Sequence, residues 1–209
     1  MTIRQLGALA ASALLAASAL LACLLQAPPA FAGPASSFAQ AVSRGSIVAS
    51  KSCTDRLGSG EVVLVEERER TTSYGDEPIR EKHIHAYRFA DDEQVWQIYD
   101  YVDDCPLALN VEFFPDALRI TDLDGDGLNE IWVAYRLGCR GDVSPIDMKI
   151  IMYEGRKKYA IRGSQRIYVD GGYDGGEYKM DAAFREGPES FRRYGRKLWL
   201  EFVEDRRGS

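Results

Sequence analysis

The residues best placed to do chemistry are Asp122-Leu123-Asp124-Gly125-Asp126-Gly127-Leu128-Asn129-Glu130, a run holding four acids in nine positions. Asp122, Asp124 and Asp126 stand at positions 1, 3 and 5 of a D-x-D-x-D-G loop. Gly127 follows at position 6, where the backbone must turn sharply. Leu128 at position 7 offers only its carbonyl oxygen, and Glu130 is the acid at position 9. An all-oxygen ligand set suits a hard cation that takes roughly six to eight oxygens, so the spacing predicts calcium rather than zinc or copper. The expected ligands are Asp122, Asp124, Asp126, Leu128 and Glu130. The competing reading is an acidic turn that binds nothing, but four carboxylates this close repel one another unless a cation neutralises them. Any such ion would be structural, since its ligands come from one short loop.

An EF-hand would require a bidentate Glu at position 12, and this chain has Val133 there. Ile131-Trp132-Val133-Ala134-Tyr135 is apolar, β-branched and aromatic, which predicts a buried strand, and Leu118-Arg119-Ile120 also reads as extended. The site is therefore expected on a strand–loop–strand unit. Other strands are expected at Glu61–Glu66, Lys82–Phe89, Val95–Val102, Val111–Phe114, Met148–Tyr153 and Lys158–Arg162. Asp91-Asp92-Glu93 and Glu154-Gly155-Arg156-Lys157 supply hairpin turns, and Thr71–Pro78 carries breakers for another. Residues 170–176, rich in Gly, read as a flexible loop. After Pro188 the period changes: Phe191, Tyr194, Leu198 and Phe202 recur at helical spacing, with Gly195 weakening the helix by up to about 1 kcal/mol. The predicted class is mainly β (α+β), an antiparallel meander or sandwich-like sheet with a C-terminal helix packed on it. Residues 51–209 are expected to form one domain.

The N-terminus reads as an export signal. Residues 5–25 are Ala- and Leu-rich behind Arg4, and Ala30-Phe31-Ala32 is an A-x-A cleavage pattern, so residues 1–32 are expected to be removed before Gly33. A retained membrane helix is one alternative. A lipoprotein cut at Cys23, after the poor lipobox Leu20-Leu21-Ala22, is another. Residues 33–50, Ala- and Ser-rich at their start, are expected to form a flexible tether or short helix. Cleavage would take the formal charge from −6 to −7, because Arg4 is the only charged residue lost. That balance argues against phosphate-backbone binding, so no nucleic-acid partner is expected. No stable membrane span should remain after cleavage.

Cys53, Cys105 and Cys139 lie beyond the signal, an odd number that allows at most one internal bridge. Cys105 and Cys139 flank the strands around the acidic loop. Joining them would close about 35 residues, worth roughly 3–4 kcal/mol in the chain-entropy model. Cys53–Cys105 is the alternative pairing. His83 and His85 share one strand face, but the chain has only these two histidines, which argues for a half-exposed polar face over a zinc pair. Arg140-Gly141-Asp142 spells an adhesion tripeptide and more simply fixes a turn before Ser144-Pro145. No G-x-S-x-G, H-E-x-x-H or C-x-x-C occurs.

The acidic loop resembles the loops of FG-GAP/VCBS-type repeats, which join strands with the same spacing. A single copy is present here, so a propeller is not expected. A longer set of segments resembles small exported bacterial proteins labelled surface polysaccharide biosynthesis protein. The matching residues are Trp96–Tyr101, Asp104–Leu107, Ile120–Asp124, Gly138–Pro145, Lys149–Gly155 and Lys158–Gly163. This resemblance, over about residues 95–165, implies a link to envelope polysaccharide and no defined reaction. It also agrees with the metal loop and the Cys105/Cys139 pairing. The expectation is an exported, calcium-stabilised binding or envelope-associated protein, its partner an envelope polysaccharide or another envelope protein. One alternative is a hydrolase on cell-surface glycans, which needs a carboxylate pair about 5–10 Å apart. Another is an adhesion or inhibitor protein.

Overall fold

Long strands that alternate apolar and polar residues are two-faced ribbons, and they must bury one face against something. In the computed structural model, which describes residues 37–205, two antiparallel sheets do this against each other. Residues 1–32, the expected signal peptide, and Cys23 within them lie outside the described residues. No helix among those described is long and apolar enough to cross a membrane.

The first sheet follows a short helix, α1 (Ser37–Val42), and contains β1 (Ser46–Asp55), β2 (Gly58–Glu66), β3 (Arg70–Tyr74), β4 (Glu77–Ala90) and β5 (Glu93–Cys105). β4 is its axis. One side of β4 is shared end to end by β2 and β3, and the other pairs with β5. The β4–β5 turn is Asp91-Asp92, both at positive φ (47° and 66°), the backbone twist that tight hairpins need.

After β6 (Ala108–Leu109), the second sheet gathers β7 (Glu112–Phe113), β8 (Arg119–Thr121) and β9 (Glu130–Leu137). Beyond β10 (Cys139–Arg140) it continues with β11 (Asp147–Glu154) and β12 (Lys157–Ser164). A separate hairpin, β13 (Arg166–Val169) and β14 (Gly172–Gly175), precedes its last strand, β15 (Tyr178–Met180). The chain then forms α2 (Ala182–Glu186) and α3 (Glu189–Phe202). The fold is mainly β, with antiparallel sheets and a C-terminal helix.

Between the sheets Val62, Leu64, Ile84, Ala86, Trp96 and Ile98 meet Ile131, Val133, Tyr135, Ile151 and Tyr153. Trp96 stacks on Tyr153 with ring centroids 4.6 Å apart. All eight residues of β9 are buried, because its other face packs on α2 and α3. Trp132, Met148, Ile150, Met152, Tyr159 and Ile161 meet Phe184, Phe191, Leu198 and Trp199 there. Gly195 is buried against this sheet: a Cβ on it would lie 2.8 Å from Ile161 Cδ1. The residue that weakens the isolated helix lets it sit close.

Two expectations need correction. Of the tether or short helix expected over 33–50, the described part holds the short helix, Ser37–Val42, but residues 46–50 belong to β1. Main-chain pairing to β2, not side-chain patterning, orders the latter, so most of this stretch of β1 stays exposed or half-buried. The expected loop at 170–176 is largely a β-hairpin. Asp170 and Gly171 take positive φ (51° and 82°) to turn β13 into β14, and Tyr168 and Tyr173 pair across it. Its glycines serve the turn and its tyrosines are exposed, which left no apolar period to read.

Candidate metal centre

β8 and β9 pair as Arg119–Trp132, Ile120–Ile131 and Thr121–Glu130, so the acidic loop is the excursion between the paired ends Thr121 and Glu130. Gly125 and Gly127 turn it at φ +74° and +80°. These left-handed values favour glycine. Leu128 N–H donates to Asp126 Oδ1 at 2.7 Å, and Asp126 N–H to Asp124 Oδ1 at 3.4 Å, so the aspartates brace the turn they line.

Glu130 is fully buried. Its carboxylate accepts from Thr121 Oγ1 at 2.6 Å and from Leu123 N–H at 2.9 and 3.1 Å. Thr121 Oγ1 in turn accepts from Trp132 Nε1 at 2.9 Å, which ties the site to the core. Burial pushes the Glu130 carboxyl above its usual pKa. The Thr121 and Leu123 bonds oppose this, and the charges of Asp124 and Asp122 add to it.

Folding brings the four predicted acids together in two overlapping groups. Carboxylate oxygens of Asp122, Asp124 and Glu130 lie within 4.8 Å of one another, and so do those of Asp124, Asp126 and Glu154. Asp124 belongs to both. The three aspartates are exposed, so the cluster is open to solvent on one side. Leu128, the carbonyl candidate, is half-buried in the same loop.

Glu154 was missed by sequence reasoning. It ends β11 directly opposite Glu130 in the β9–β11 register, and Tyr159 OH donates to its Oε2 at 2.8 Å. Burial raises its pKa, the Tyr159 bond opposes, and Asp124 and Asp126 add to the rise. The only signal in sequence was an acid at the mouth of the Gly155 turn, and its relevance depends on strand pairing.

The first sheet also grips the loop. Arg56, in the β1–β2 turn, donates its backbone N–H to Gly127 O at 3.0 Å and Nη1 to Asp126 O at 3.1 Å. Asn129 Nδ2 donates to Thr54 O at 2.9 Å and contacts Cys53 Sγ at 3.2 Å, while Asn129 N–H reaches Asp55 Oδ2 at 3.4 Å. Asp55 is fixed by Arg88 Nη2 at 3.4 Å, both side chains being buried.

Cys105 and Cys139 are joined by a disulfide, with Cα atoms 5.6 Å apart, and Cys53 is a buried free thiol. Burial raises the Cys53 pKa, which keeps it a thiol at neutral pH. Arg140 donates to Asp205 Oδ2 at 2.5 Å and bonds Ser144 O, while Asp142 accepts from Ser144 N–H and Oγ at 3.0 and 2.6 Å. The tripeptide thus serves its own turn. His83 and His85 lie on the first sheet among aromatic rings. No family model, curated protein or solved structure matches this chain.

Proposed function

We propose that this chain is an exported binding or envelope-associated protein whose two-sheet body is held together by calcium at the Asp122–Glu130 loop. The observation that carries the reading is Asp124, shared between two carboxylate groups that draw on the loop and on the neighbouring β11. Asp122, Asp124, Asp126, Glu130 and the Leu128 carbonyl would hold the ion, with Glu154 added from β11. Such a set is all oxygen, strongly anionic and partly solvated, which suits calcium. Glu130 keeps acceptor capacity beyond its bonds to Thr121 and Leu123, since a carboxylate offers about four lone-pair sites.

The role is structural. The loop joins β8 to β9 and bonds the β1–β2 turn, so its collapse would loosen both sheets at one end. Export is supported by the Ala- and Leu-rich N-terminus and by the Cys105–Cys139 disulfide, a bond that persists in oxidising compartments. Outside the cell calcium is plentiful, and a weak site of roughly 10⁻⁴–10⁻³ M would be filled. The polysaccharide link implied by the resemblance makes an envelope glycan the first partner to test. The test of the ion is thermal melting in chelator and in millimolar calcium, for wild type and Asp124→Ala. The wild type should gain stability from calcium and the variant should not. Equal melting of the wild type in both buffers would overturn the reading. Calcium-dependent hydrolysis that is lost in a folded Asp124→Ala would replace it with an enzyme.

A further inference from the structure

The outer face of β4 and β5 carries a ladder of rings that is buried at one end and open at the other. Alternation puts His83, His85, Tyr87 and Phe89 of β4 on this face, with Tyr99 and Tyr101 of β5 beside them, while Ile84, Ala86 and Ile98 point into the core. Tyr101 is opposite His83 and Tyr99 is opposite His85 in the register. Ring centroids are 5.3 Å apart for His83–Tyr101, 5.4 Å for Tyr99–Tyr101, 5.0 Å for His85–Tyr99, and 5.9 Å for both His85–Tyr87 and Tyr87–Phe89. The His85–Tyr87, His85–Tyr99, Tyr87–Phe89 and Tyr99–Tyr101 pairs are stacked, with interplanar angles of 9–28°, and His83 is tilted to Tyr101 and Tyr99 by 32° and 48°.

One end of the ladder is covered and the other is open. Tyr87 and Phe89 cluster with Ala41 and Val42 of α1, whereas Tyr99 and Tyr101 are 49% and 45% exposed. Polar groups surround the rings. Tyr99 OH meets His83 Nδ1 at 3.0 Å, Glu67 meets His85 Nε2 at 2.8 Å, and Arg70 bridges Glu67 and Glu81. Two further atoms of the ladder, His85 Nδ1 and Tyr87 OH, are buried and have no hydrogen-bond partner among the described residues. With Nε2–H spent on Glu67, Nδ1 of the neutral ring is an acceptor, and Tyr87 OH can donate or accept.

Single exposed tyrosines on strands are ordinary, but contiguous aromatic faces mark recognition sites. The ligand that matches this one has flat C–H surface to lie on the rings and many hydroxyls to meet imidazole, phenol and carboxylate. That description fits a carbohydrate. Of the charges that act on these rings, Glu67, Glu81 and Asp103 outnumber Arg44 and Arg70, in a chain of net charge −6, so the face disfavours phosphate, sulfate or uronate groups and suits an uncharged glycan. We propose that the outer face of β4–β5 binds an uncharged polysaccharide chain, with Tyr99 and Tyr101 as the stacking platform and His83 and Glu67 as hydroxyl partners. This names the ligand class for the binding role proposed above. It shares no residue with the calcium loop.

The test uses the exported protein in calcium. Native gels containing hydroxyethylcellulose, laminarin or yeast mannan should retard it, and polygalacturonate should not. The Tyr99→Ala/Tyr101→Ala double variant should bind at least tenfold more weakly with unchanged melting. The gels are run in excess calcium on the wild-type chain, so failure of the calcium reading is seen in melting and failure of this one in the gels. Independently, the retarding polysaccharide should shield Tyr99 and Tyr101 from nitration by tetranitromethane and leave Tyr168 and Tyr173 reactive. Those two are 63% and 66% exposed on the other hairpin. The proposal is overturned if no uncharged polysaccharide retards the protein, if only polygalacturonate does, or if the double variant binds normally. It is also overturned if shielding falls on Tyr168 and Tyr173, or if the double variant instead converts a dimer to a monomer, which would make the face a self-association surface.

Discussion

The two outward faces of the sheets are finished differently. The second sheet presents Trp132, Ala134, Met148, Ile150 and Met152, and α2 and α3 bury all of them. The first sheet presents Val63 and Val65 beside the aromatic ladder, and the six residues of α1 cover only one end of it. Aliphatic and thioether side chains have no use for water, so leaving them open would invite aggregation. Tyrosine and histidine carry polar atoms and tolerate exposure. The chain invests a long amphipathic helix where the face is purely apolar and stops where the face can meet water or a ligand.

Truncation should separate the two faces most sharply. Trp199 is 1% exposed and donates Nε1–H to Gly176 O at 3.0 Å, so Trp199→Ala should cost about 3–5 kcal/mol in urea unfolding. Tyr99→Ala on the open face should stay within about 0.5 kcal/mol of wild type. Similar losses at both positions would erase the distinction. Next in size is the Cys105–Cys139 bond, which ties the end of β5 to β10 across a separation of 34 residues. Cys105→Ala/Cys139→Ala should lose roughly 2–4 kcal/mol, read as a lower urea midpoint. A midpoint shift confined to the reduced wild type, and absent in the double variant, would contradict this.

Calcium comes third. At one hundred times its dissociation constant it should add about 2.7 kcal/mol, lost in Asp124→Ala, and Glu154→Gln should lower the affinity in a calcium titration followed by melting. An unchanged midpoint for Glu154→Gln would limit the site to the loop. The smallest expected effect sharpens the aromatic face. Burial holds the His85 pKa below the usual imidazole value, outweighing the upward pull of Glu67. The unfolded chain therefore binds this proton more readily than the folded one. Stability from His85 is complete above the unfolded value of about 6.5 and is lost as pH falls below it. Melting at pH 7.5 and 5.5 should show a drop in wild type that shrinks in His85→Gln. An equal drop in both would assign it elsewhere.

Much of the architecture was legible because it is local. Alternation in Lys82–Phe89 and Val95–Val102 gave the β4–β5 hairpin, and the apolar run at Ile131–Tyr135 gave β9. The four-acid spacing gave the loop, and helical spacing at Phe191, Tyr194, Leu198 and Phe202 gave α3. In each case the signal lies within one stretch of chain, even where, as for β9, the strand's hydrogen bonds go elsewhere.

What only the tertiary structure decided spans long separations. Glu154 joins the acidic cluster because β11 pairs with β9 in one register, and Arg56 braces Gly127 and Asp126 from seventy residues away. His83 and His85 read as polar residues on a half-exposed strand. Pairing with β5 sets His85 against Tyr99, and Glu67 closes on its Nε2, so it is a buried ring in an aromatic ladder. Residue types and their spacing determined which groups were on offer. Strand register determined which of them met, because side chains on neighbouring strands touch only when the backbone bonds between those strands set them opposite one another.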